Sequence, residues 1–140
     1  MTRREVGLLD TSTLILLSRL EDPAVLPDRP LISAISLAEL AVGPLVTDDP
    51  AERAARLAHV QQAEADFEPL PFDADAARAF AQVAASLRRS GRKAAARVYD
   101  AMIAAIALAN GIPLFTANPG DFEGIAGLDV VAVPHPDRTR

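Results

Sequence analysis

Short apolar runs that alternate with helix-period segments constrain this chain more than any other feature. Val6-Gly7-Leu8-Leu9 ends at Asp10-Thr11-Ser12, and Leu31-Ile32-Ser33-Ala34-Ile35 leads into Ser36-Leu37-Ala38-Glu39. Pro113-Leu114-Phe115-Thr116 runs into Asn118-Pro119-Gly120, and a last run spans Leu128 to Val133. Phe67 to Phe72 also alternates, but Pro69 and Pro71 lack the N–H of a central strand and confine it to a sheet edge. Between these runs the pattern gives helices from Thr11 to near Asp22, from Ser36 to Gly43-Pro44, from Pro50 to about Asp66, from an Asp73 cap to about Ser90, and from Ala95 to Asn110 with Gly111 as terminator. Such alternation predicts an α/β fold: a four- or five-stranded, mainly parallel sheet, its first strand central, with helices on both faces. The 140 residues fit one domain, expected over residues 1–133, with a loose tail over 134–140.

Cysteine is absent, so disulfides, thiolate nucleophiles and Cys-based metal sites are excluded. With only His59 and His135 for imidazole, any metal site must use oxygen ligands, which favours Mg²⁺ or Mn²⁺. The longest apolar run, Ala101 to Ala109, is far short of the roughly 18–20 residues of a membrane span. The first residues lack the pattern of a signal peptide, so the expectation is a cytoplasmic protein with no membrane association. The net charge of −5 argues against nonspecific coating of nucleic acid, and a 4% aromatic content against a base-stacking platform.

Ligands of open α/β sheets bind beyond the carboxyl ends of the strands. Asp10 follows the first strand, Glu39 lies on the helix after the second, and Asn118 and Asp121 follow the fourth. Asp100 stands at the head of the apolar segment Ala101 to Ala109 and can join them from its helix. Each has a purely structural alternative. Asp10 reads equally as a helix cap, and Ser36-x-x-Glu39 matches a capping box. Asp100 is otherwise a solvated helix charge beside Arg97, and Asp121 a turn residue. Their joint placement outweighs the separate alternatives, because like charges gathered together repel and a divalent cation removes that cost.

Leu8-Leu9-Asp10-Thr11-Ser12, Ser36-Leu37-Ala38-Glu39-Leu40, Tyr99-Asp100-Ala101-Met102-Ile103-Ala104-Ala105 and Phe115-Thr116-Ala117-Asn118-Pro119-Gly120-Asp121-Phe122 resemble, in order, the four motifs of PIN-domain nucleases. Length and spacing are most similar to the VapC toxins of type II toxin–antitoxin pairs. The resemblance implies a three-layer α/β/α fold and a metal-dependent endoribonuclease acting on RNA, often structured RNA such as tRNA. It implies Asp10 and Asp100 as the main Mg²⁺ ligands, with Glu39 completing the acidic triad. Thr11, Thr116, Asn118 and Asp121 would support the site. Many PIN domains carry an acid where this chain has Asn118, so a three-acid core is expected, with Asp121 either compensating or structural. A small cognate antitoxin and a homodimer are the implied partners.

Arg88, Arg89, Arg92, Lys93 and Arg97 crowd the stretch before Asp100. They read either as a solvated helix end or as a phosphate guide into an acidic site, with Arg97, Arg92 and Lys93 the substrate-binding candidates. The reading from another class is a noncatalytic α/β binding or regulatory module whose acids only cap helices. A capping-only protein gains no Mg²⁺-dependent stability.

Overall fold

The computed structural model describes residues 5–93 and 97–137. Strand β1 (Val6–Leu9) lies between β2 (Arg29–Leu31) and β3 (Leu114–Thr116), and β4 (Val130–Ala132) pairs on the far side of β3. All three pairings are parallel, with Leu8 opposite both Leu31 and Leu114. The first strand is therefore internal, as expected. Helix α1 (Thr11–Leu16) lies between β1 and β2 in the chain, helices α2 (Ala34–Val42), α3 (Pro50–Asp66), α4 (Ala74–Arg89) and α5 (Val98–Asn110) lie between β2 and β3, and a 3-10 turn, Pro119–Phe122, lies between β3 and β4.

Alternation along β1 feeds two layers. Leu8 and Leu114 pack with Ala76, Val83 and Leu87 of α4 and with Ile103 and Ile106 of α5. Leu9 and Phe115 turn to the opposite face, against Leu17, Leu20, Val25 and Leu26. A third cluster joins Leu14, Ile32, Leu40, Val60 and Ala63. Full burial of each large aliphatic side chain contributes about 1.5–3 kcal/mol. Glycine at position 7 is steric: a Cβ there would lie 2.4 Å from the Phe115 ring.

Several boundaries differ from the sequence expectation. The second strand is Arg29–Leu31, not 31–35, and α2 begins at Ala34 with Ser33 as its cap. Ser33 Oγ takes the Ser36 N–H at 3.0 Å, so Ser36 is not the cap and the capping box with Glu39 does not form. The first helix ends at Leu16 and tightens to a 3-10 turn over Leu17–Arg19. The run from Phe67 to Phe72 contributes one parallel bridge, Leu70 to Ser33, because the prolines on either side of Leu70 carry no N–H. That bridge lies outside β2, at the edge where the prolines placed it. The expected start of the last long helix at Ala95 lies outside the described residues; the described helix starts at Val98. Leu128 to Val133 shortens to Val130–Ala132, although Val133 still donates its N–H to Thr116. In the tail, Asp137 pairs with Arg19.

Candidate metal centre and active site

The sheet order changes direction between β1 and β3, since the chain passes from β1 outward to β2 and returns to β3 on its other side. Open α/β sheets form a ligand crevice at such a switch. Asp10 follows β1, and Thr116 is the last residue of β3.

Asp10 is 4% exposed, and its carboxylate is densely hydrogen-bonded. Oδ1 accepts the Thr13 N–H at 3.0 Å, so the residue does cap α1. Ser12 Oγ donates across both oxygens at 3.1 Å, and Thr116 Oγ1 donates to Oδ2 at 2.6 Å. A capping aspartate on an exposed helix start needs none of the last three contacts. Bonds of this charge-assisted kind fix the carboxylate's plane and hold it ready.

Glu39, half-buried near the middle of α2, accepts from Thr11 Oγ1 at 2.6 Å. Thr11 Oγ1 also lies 2.8 Å from Ser36 Oγ. Having given its one proton to Glu39, Thr11 accepts from Ser36. The side chain is thus aimed across to α1 rather than back at its own helix.

Asp100 occupies the first turn of α5, with Ala101, Ile103, Ala104 and Ala105 buried beyond it. Burial, followed by the charges of Asp121, Asp10 and Glu39, pushes its carboxyl up to about 6, against a partial opposing effect of Arg97. Three acids from three other parts of the chain therefore bear on Asp100. Arg97 Nη1 reaches Asp121 Oδ1 at 3.3 Å, in the 3-10 turn Pro119–Phe122. Arg92 is tied to the same turn, donating to the Gly120 carbonyl at 2.9 Å with Glu123 at 3.5 Å. Lys93 is exposed.

Asn118 enters through two hydroxyls. Its Nδ2 lies 3.1 Å from Ser12 Oγ, and its backbone N–H donates to Thr116 Oγ1 at 2.9 Å. Ser12 and Ser33 had no separate role in the sequence reading, and Ser36 entered it only as a helix cap. The only signal for them was the density of hydroxyls in Asp10-Thr11-Ser12-Thr13 and Ser33 to Ser36.

Among the described residues no group of three or more His, Asp or Glu side chains is drawn together as a ready-made ion site. Mg²⁺ needs none, since it keeps several waters and takes one or two carboxylates. The all-oxygen donor set and the mutual repulsion around Asp100 fit a divalent cation.

The PIN domain family model matches residues 8–128, and the chain belongs to that family. It is 39% identical to Ribonuclease VapC5 of Mycobacterium tuberculosis over 137 residues, covering 94% of this chain and 98% of the relative. It is 31% identical to a Ribonuclease VapC of Rickettsia bellii, covering 79% and 81%. Among solved structures, the VapBC-5 toxin–antitoxin structure from Mycobacterium tuberculosis superposes with TM-score 0.79 at 38% identity, covering 91% of this chain and 98% of that one. A DNA-bound VapBC from Salmonella typhimurium superposes with TM-score 0.73 at 29% identity, over 91% and 96%. These matches agree with the α/β/α fold expected from sequence.

Proposed function

We propose that this protein is a Mg²⁺-dependent endoribonuclease and the toxin of a toxin–antitoxin pair. The observation that carries the reading is the strand-end crevice where Thr116 holds Asp10 at 2.6 Å and Thr11 holds Glu39 at 2.6 Å, beside Asp100, whose carboxyl burial and then the charges of Asp121, Asp10 and Glu39 push up to about 6. Strong perturbation by burial together with like charges at a strand-end crevice marks functional sites. The all-oxygen donor set suits a hard divalent cation, Mg²⁺ first and Mn²⁺ as the alternative.

Asp10 and Asp100 would hold the cation. Bound there, it supplies Lewis acidity toward a phosphodiester. Thr116 and Ser12 keep the Asp10 carboxylate in one orientation, and Thr11 does the same for Glu39. Glu39 is then placed to hold a water or accept its proton. Arg97, beside Asp121 at the rim, offers a guanidinium to an RNA phosphate, with Lys93 as a second cation. Arg92 acts mainly by fixing the turn that carries Asp121.

The antitoxin partner is supported by the VapBC complexes to which this chain is similar. A basic side chain of that partner among the acids would offset the charge that the cation otherwise neutralises. Exposed Val42, Leu45 and Val46 at the end of α2 offer an apolar patch for a homodimer.

The test is cleavage of total RNA by wild type and Asp10→Asn, with Mg²⁺ or with chelator, followed by sequencing of the new ends. Discrete Mg²⁺-dependent ends absent from the variant support the reading. Identical patterns from both proteins overturn it.

A further inference from the structure

We infer that Asn118 is a positioning residue for Asp10, acting through the hydroxyls of Ser12 and Thr116, and not a lost acidic metal ligand. The hydroxyl protons available fix the direction of each bond. Ser12 has one hydroxyl proton and lies 3.1 Å from both oxygens of Asp10, a carboxylate that can only accept. That proton goes to Asp10, which leaves Ser12 Oγ as the acceptor toward Asn118. The Asn118 amide therefore presents Nδ2, as its 3.1 Å contact has it. Thr116 follows the same logic: it receives the Asn118 backbone N–H at 2.9 Å and passes its own proton to Asp10 at 2.6 Å. Both hydroxyls that hold the carboxylate are thus set in direction by one residue.

Any residue but proline at 118 supplies the backbone donor. The side-chain donor needs an N–H or O–H, which the Asn118 amide has and an aspartate carboxylate lacks. An aspartate would offer Ser12 only acceptors and would compete with Asp10 for its single proton. In this chain the departure from the acidic pattern is matched to Asp10-Thr11-Ser12, where a serine stands two residues after the ligand.

The inference rests on the reading of Asp10 as a metal ligand, and its test separates the two. Mn²⁺ affinity is measured by calorimetry, alongside metal-free melting, for wild type, Asn118→Ala, Ser12→Ala, the double variant and Asp10→Asn. Outer partners of metal ligands typically change affinity by about 10- to 100-fold. Asn118→Ala is expected to weaken Mn²⁺ by about tenfold in the wild-type background with a melting temperature that barely moves, and by less than about twofold once Ser12 is alanine. Asp10→Asn is expected to lose Mn²⁺ binding. Additive losses in the cycle, or an Asn118→Ala protein with wild-type affinity, overturn the inference while the Asp10 reading stands. Full Mn²⁺ binding by Asp10→Asn overturns both.

Discussion

Thr116 gives its hydroxyl proton to Oδ2 of Asp10 across 2.6 Å and so ties the carboxyl end of β3 to that of β1. Both residues are buried, Thr116 fully. The bond is short and charge-assisted, and nothing else among the described contacts reaches Oδ2 except Ser12.

Thr116→Val keeps the shape and removes the donor. It also strips the Asn118 N–H of its acceptor. The expected cost is about 1.5–3 kcal/mol, read as a lower urea midpoint with unchanged slope. Thr116→Ser should restore most of it, because the hydroxyl returns. Equal stability of the valine variant would mean that the bond contributes nothing.

Asp100 sets a pH dependence. Its carboxyl moves from 3.8 to about 6 on folding, so the unfolded chain releases this proton first. Between those values the folded state binds more protons, and stability from this group falls as pH rises through about 6. In metal-free protein, melting across this range should show that decline in wild type and its loss in Asp100→Asn. A cation competes with the same proton, so Mg²⁺-induced stabilisation should be weak below pH 6 and grow above it. Mg²⁺ stabilisation that is flat with pH would contradict this.

Arg97 faces Asp121 and counters the repulsion on Asp100. Arg97→Ala should therefore raise the Asp100 pKa further and weaken RNA. If the guanidinium meets one phosphate, the slope of log affinity against log salt should fall by about one. Binding of a noncleavable RNA over a salt series measures it. An unchanged slope assigns Arg97 to the Asp121 ion pair alone.

Gly7→Ala tests the sheet itself. The new Cβ would meet Phe115 at 2.4 Å and Pro27 at 3.2 Å, and the ring is 3% exposed with no room to yield. Overpacking of this kind costs about 1–3 kcal/mol. Denaturant unfolding should show it, and wild-type stability would mean that the ring moves freely.

Much of this was legible because the signals were local. Periodicity gave the parallel layers, Pro50 and Asp66 bounded α3 to the residue, and Gly111 marked the end of α5 with φ of 64°. Family motifs pointed to Asp10, Glu39 and Asp100. What escaped was set by pairing across the chain. Ser33 caps α2 in preference to Ser36 because Ile32 and Ala34 are held there by hydrogen bonds to Leu70. The same tertiary choice frees Glu39 from the capping box and turns it toward Thr11. Arg92 reads in sequence like any cation of its cluster, and only the fold brings Gly120 and Glu123 to it. The Asn118 contacts to Ser12 span 106 positions, beyond the reach of any local pattern.

The most direct test of the metal-dependent site is RNA cleavage by wild type and Asp100→Asn, each with and without Mg²⁺, on proteins whose melting is followed under the same conditions. Asn keeps the shape of Asp100 and removes the charge that burial and three neighbouring acids oppose. The account predicts a folded variant that melts at or above the metal-free wild type, gains no stability from Mg²⁺, and cleaves RNA orders of magnitude more slowly. Wild-type cleavage by Asp100→Asn, with Mg²⁺ stabilisation intact, would contradict it.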